Sequence, residues 1–181
     1  MSKRNIGIVI VLGVLFILLT ILVCFDCTKS LDMGFYNFLM NFRCDFLDKY
    51  FVFITDLGGV SFIIGLVIGF IILTRNIYGL LFGCLAIDCV IVNKIVKHII
   101  KRSRPDVLKL VKQGGYSFPS GHSMISVSMY GYLIYLVHKK FTNKYIKFFS
   151  TFLLVFLILS IGISRVYVGV HYISDVIGGY L

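Results

Sequence analysis

The sequence predicts an all-α, polytopic membrane bundle of about six transmembrane helices, with an amphipathic helix in its first outer loop. Two observations set this class. Of 181 residues, 59% are hydrophobic and the mean hydropathy is +0.96, beyond the range of a soluble globule. The apolar residues are also gathered into runs near the ~20 residues that a helix needs to cross the hydrocarbon. A third observation concerns function: three compact polar clusters interrupt the pattern, and parity puts all three on one face of the membrane.

The first span, Ile6 to Phe25, follows Lys3 and Arg4. It resembles a secretory leader but is long, and Cys24 follows Val23 where a cleavage site wants a small residue, so it reads as a retained helix. In residues 26 to 50, Phe35, Tyr36, Phe38, Leu39 and Phe42 recur at three-to-four spacing, as on an interfacial amphipathic helix. The second span runs from about Phe53 to Leu73 and the third from about Ile77 to Ile100. Gly65-x3-Gly69 and Gly79-x3-Gly83 would let these helices approach closely. A polar loop, 101 to 118, precedes a fourth span that opens at Pro119-Ser120 and ends near His138. The fifth covers about Phe148 to Ile163. The sixth, from near Val166 to Leu181, is short for a crossing.

Eighteen Lys and Arg against eight Asp and no Glu give a formal charge of +10. Because the basic residues lie between apolar spans, lipid headgroups or substrate phosphates are their expected partners rather than nucleic acid. Six spans put both termini on one side. With the N-terminus cytoplasmic, Lys3, Arg4, Arg75, Lys139, Lys140, Lys144 and Lys147 lie inside, which leaves eleven of the eighteen outside, against the positive-inside rule. Several of those eleven fall in the polar loop, where phosphate binding would require them. Of five Cys, Cys84 and Cys89 lie within an apolar run as small hydrophobes. Cys24-x2-Cys27 has no second pair or His nearby to complete a zinc site, and a bridge among Cys24, Cys27 and Cys44 is left open.

The first polar cluster is KHIIKRSRP, in which Lys97, Lys101 and Arg104 fall at i, i+4 and i+7, one helical stripe ended by Pro105. By itself it also fits a snorkelling basic helix end. The second is Pro119-Ser120-Gly121-His122, where a helix opens with uncovered N–H groups beside a titratable imidazole, a place suited to an anion. The third is SRVYVGVHYISD, with Ser164-Arg165, His171 and Asp175. His171 and Asp175 are i and i+4, so the carboxylate is expected to fix the imidazole tautomer and favour its charged form. Asp88, in the middle of the third span, fits either a helix contact or a substrate role. Asn93 precedes Lys97 by four residues and is placed to orient it. His98 and His138 match nothing here and read as interfacial.

Taken together, the three clusters resemble the three-part signature of the type 2 phosphatidic acid phosphatase family, which includes the vanadium haloperoxidases. The resemblance rests on Lys97 with Arg104-Pro105, on Pro119 to His122, and on Ser164-Arg165 with His171 and Asp175. It covers about residues 51 to 181, a phosphatase core preceded by an N-terminal span and interfacial loop at 1 to 50, all within one structural domain. What it implies is a metal-independent and cofactor-free lipid phosphatase of the cell membrane, with its site on the extracytoplasmic face. His171 would be the nucleophile, Asp175 its orienting partner and His122 the general acid. Lys97, Ser120, Gly121, Arg104 and Arg165 would bind the phosphoryl oxygens. The expected substrate is undecaprenyl pyrophosphate, with phosphatidylglycerophosphate and phosphatidic acid as alternatives. A phosphotransferase and a noncatalytic lipid-binding protein are the competing readings, and a haloperoxidase would be expected to be soluble.

Overall fold

A computed structural model describes residues 3–181 and, among them, eight helices with no strand. The first, α1 (Lys3–Cys24), is apolar on every face and almost wholly exposed, as a lipid-facing helix should be. Then come α2 (Lys29–Met40), α3 (Asp45–Asp56), α4 (Val60–Thr74), α5 (Ile77–Ile100), α6 (Gly121–Lys140), α7 (Lys144–Tyr167) and the short α8 (Ile173–Tyr180). Local chemistry places several boundaries. Asp45 and Asp48 lie in the first turn of α3, against the positive end of its dipole. Asn76 and Asn143 cap α5 and α7 by accepting from Tyr78 N at 2.9 Å and Tyr145 N at 2.8 Å. Left-handed Arg75 and Lys101 end α4 and α5.

By length and composition α1, α5 and α7 can each cross a membrane, and α3 and α4, bent by 49° at their break, pass the same test only as a pair. The core divides in three, and two of the parts include α6. Ile63, Phe82, Ile125 and Met129 join α4, α5 and α6; Ile54, Tyr130, Ile158 and Ile161 join α3, α6 and α7. The third cluster, Tyr167, Val168 and Val170, packs beneath Leu47 and Phe51 of α3. It fixes the turn after α7, which carries His171.

Several sequence expectations need correction. The amphipathic stretch forms two helices, α2 and α3, and the second span is broken at 57–59 instead of running straight from Phe53. The break brings Gly58 under α6 and α7, where a Cβ would come within 2.8 Å of Ile161 and 3.2 Å of His122. Of the two Gly-x3-Gly pairs, Gly79 and Gly83 face α4 residues, whereas Gly65 and Gly69 face open space. Helix α7 runs on through Ser164-Arg165 to Tyr167, so only 173–180 remain helical after it. All five cysteines are free.

Candidate active site

The site lies where the C-terminal ends of α5 and α7, the N-terminal ends of α6 and α8 and the α3–α4 break converge. A cavity of about 420 Å³ opens there, lined by Lys97, Arg104, Gly121, His122 and His171. Val60, Cys89, Val90 and Ile125 add apolar lining, and among the described residues no acidic one lines it. The cavity therefore combines cationic and apolar lining, which suits a ligand with an anionic group and an apolar part.

His171 is almost fully buried in the turn between α7 and α8. Gly169 makes that turn with φ +77°, and His171 N donates to Arg165 O at 3.2 Å. The imidazole Nε2 lies 3.2 Å from Arg104 Nη1. Since a guanidinium can only donate, Nε2 accepts, and the ring proton sits on Nδ1, which donates to Asp175 Oδ2 at 3.2 Å. Asp175 is fully buried, and Oδ2 also accepts from Tyr172 N at 2.9 Å and from Ser117 Oγ. The His171–Asp175 contact was expected from two positions on one helix. It forms instead between a turn and the first turn of α8, because Asp175 folds back onto the residues that open the helix. The expected charging of the ring is reversed as well. Burial pushes the His171 pKa below its ordinary value, against the opposing pull of Asp175, so the imidazole stays neutral.

Arg104 is not on the stripe of Lys97 and Lys101. Helix α5 stops at Ile100, Lys101 turns outward, and Arg104 comes from the loop. Its position is built by carbonyls: Val170 O accepts at 2.7 Å, Gly114 O at 2.8 Å and Tyr116 O at 3.1 Å. Lys97 Nζ donates to Tyr116 O at 2.7 Å and Ser117 O at 3.3 Å. Arg165, 1% exposed on the last turn of α7, donates to Thr55 Oγ1 and, at 3.2 Å, to Gln113 Oε1. Its Nε is buried without a hydrogen-bond partner.

Ser120 is fully buried, and its Oγ accepts from Ser123 N at 3.4 Å and Ser123 Oγ at 2.9 Å. It therefore caps α6 and does not line the cavity, while Gly121 and His122 at the helix start do. Asn93 does not orient Lys97 but donates to Pro119 O at 3.1 Å, which holds the α6 entry. His98 lines the cavity rim, stacked edge-on against Tyr116. His138 bonds Thr151 Oγ1 at 2.9 Å near the far ends of α6 and α7, and Asp88 is exposed on α5 outside the cavity. Sequence reasoning missed Ser117, Arg102 and Asp32, all of which surround Asp175 or the residue before it. Their positions in sequence carry no periodic signal, since they meet only through folding.

The chain matches the PAP2 superfamily over residues 76–181. It is 33% identical over 171 residues to phosphatidylglycerophosphatase B of Bacillus subtilis, covering 91% of this chain and 84% of that protein. Among solved structures, the transmembrane PAP2-type phosphatidylglycerolphosphate phosphatase of Bacillus subtilis superposes with a TM-score of 0.86 at 30% identity, over 94% of this chain and 88% of that one. Aquifex aeolicus LpxE gives 0.66 at 26% identity, over 83% and 88%.

Proposed function

The chain is a membrane-embedded lipid phosphatase belonging to the PAP2 superfamily, and from that premise we propose that it hydrolyses the terminal phosphomonoester of phosphatidylglycerophosphate through a phosphohistidine at His171. The sequence placed undecaprenyl pyrophosphate first. Similarity to a phosphatidylglycerophosphatase along most of both chains favours the alternative. The observation that carries the mechanism is the geometry of His171: Nδ1 is tied to Asp175, and Nε2 faces the cavity shared with His122, Lys97 and Arg104.

In this mechanism the Nε2 lone pair attacks phosphorus and the bond to the glycerol oxygen breaks, with His122 giving that oxygen a proton. Water then attacks phosphorus, the P–N bond breaks, His122 regains the proton and inorganic phosphate leaves. Lys97 and Arg104, with the Gly121 amide at the α6 start, hold the nonbridging oxygens as charge builds, and Arg165, bonded to Gln113 of the cavity wall, adds its positive field from behind. Ser120 contributes by fixing the α6 start. Neither step calls on a metal.

The membrane is proposed to be the cell membrane, with the site on its extracytoplasmic side. Lys3, Arg4, Arg75, Lys139, Lys140, Lys144 and Lys147 lie at the opposite ends of the helices, while Arg102 and Arg104 at the site end are engaged by carboxylates or carbonyls.

Phosphate release by the purified chain in detergent with EDTA, from phosphatidylglycerophosphate, phosphatidic acid and undecaprenyl pyrophosphate, tests the reading. The expected result is release that persists in EDTA, is fastest with phosphatidylglycerophosphate and vanishes in His171→Ala. Parental activity in His171→Ala would overturn the mechanism, and faster release from undecaprenyl pyrophosphate would overturn the substrate.

A further inference from the structure

Arg102 lies two residues before Arg104, yet its guanidinium turns away from the cavity and sits behind Asp175. Nη1 donates to Asp175 Oδ1 at 2.6 Å and Ser174 Oγ at 2.7 Å, and Nη2 donates to Asp32 Oδ2 at 2.7 Å and Thr28 Oγ1 at 3.2 Å. The guanidinium also covers the Tyr172 ring, 4.1 Å from its centroid. Asp32, fully buried on α2, accepts from Ser174 N at 2.9 Å and Ser174 Oγ at 2.8 Å. Apart from Thr28 and each other, the pair's contacts thus converge on Asp175, Ser174 and Tyr172. A buried ion pair is weak evidence for stability, because desolvation opposes it, so this one invites a different role.

The charges make that role specific. Asp32, Arg102 and Asp175 sum to one negative charge. Without Arg102 the cluster would hold two, and without the Asp32 charge it would hold none. Arg102 takes Asp175 Oδ1 and leaves Oδ2 for His171 Nδ1. Neither Arg102 nor Asp32 lines the cavity.

We propose that Arg102 and Asp32 are positioning residues for the reaction: Arg102 locks the Asp175 carboxylate in the orientation that holds His171, and Asp32 balances Arg102 so that Asp175 keeps its negative field on the imidazole. The inference rests on His171 as the nucleophile. It gives α2, a helix outside the three signature clusters, a part in positioning His171. The other charged and titratable groups facing the His171–Asp175 pair are Lys97 from α5, Arg104 from the loop, His122 from α6, Arg165 from α7 and the adjoining Tyr172. None of them changes in the variants below.

The experiment measures kcat, KM and the pH profile of kcat/KM for the full chain in detergent, with phosphatidylglycerophosphate, as parent, Asp32→Asn, Arg102→Gln, the double variant and His171→Ala. Loss of orientation lowers kcat in both single variants by about 10–100-fold with little change in KM, since an ångström of misplacement costs on the order of 10² in rate. The acid limb of kcat/KM, where His171 takes up its proton, moves to higher pH in Arg102→Gln by about one unit or more. In Asp32→Asn it stays or moves lower, and in the double variant it returns toward the parent. Loss of a fold contact alone would not move the limb in opposite directions and then restore it. Should Arg102→Gln fail to fold, the nearly isosteric Asp32→Asn decides: parental kcat and an upward limb shift there overturn the inference. So do limb shifts of the same sign in both single variants. Inactive His171→Ala beside fully active Asp32→Asn and Arg102→Gln would remove this inference and leave the proposed function standing, whereas active His171→Ala would remove that function.

Discussion

Gly169 lies two residues before His171 and touches no substrate, yet Gly169→Ala should cripple turnover. Its φ of +77° costs an alanine about 1–2 kcal/mol. Space is the harder constraint: a Cβ there would lie 2.2 Å from Leu108 O, whereas a carbon–oxygen contact settles near ~3.3 Å. The turn would have to retreat by about 1 Å. It has little room to do so, because Leu110 N donates to Val168 O at 3.1 Å and Val168 and Val170 are fully buried. The displacement therefore passes to His171, whose Nε2 faces Arg104 at 3.2 Å. A shift of that size lowers kcat by about 10²-fold. Phosphate release at saturating lipid measures it, with a thermal melt in detergent to separate catalysis from unfolding and Gly131→Ala, where a Cβ meets nothing, as the control. A kcat within threefold of the parent would show that the turn does not set the position of His171.

Two further outcomes are expected. Because burial holds the His171 pKa below 6.5, the neutral imidazole persists below that pH, so the acid limb of parental kcat/KM should lie under pH 6.5; a limb at or above it contradicts the neutral buried nucleophile. His122→Ala should lower turnover of the lipid phosphomonoester by about 10²–10⁴-fold, and much less for an aryl phosphate whose leaving group needs no proton. Equal losses on both substrates would remove His122 as the general acid.

The all-helical membrane fold was legible in the sequence because it rests on local chemistry, and several of the polar residues singled out there meet around one cavity. Long apolar runs dictate helices in lipid, and Ser120 is a favoured N-cap that here opens α6 at Gly121 and His122. Lys97, Arg104, His122 and His171 line one cavity, and Arg165 and Asp175 stand directly behind it. Other features were misread where local periodicity was extended too far. The stripe through Lys97, Lys101 and Arg104 assumes that α5 continues, and it stops at Ile100. The sixth span assumed a helix across Gly169, whose positive φ ends that possibility.

What the sequence determined by itself was an all-helical membrane chain with basic and imidazole groups near its helix ends, because residue type and spacing carry that information. What only the tertiary structure decided was their state. Burial keeps His171 neutral against the nearby carboxylate, Ser120 is taken up in capping, and Asp175 is held from behind by Arg102 and Asp32. These follow from desolvation and from contacts between distant segments such as α2 and α8, which no local pattern encodes.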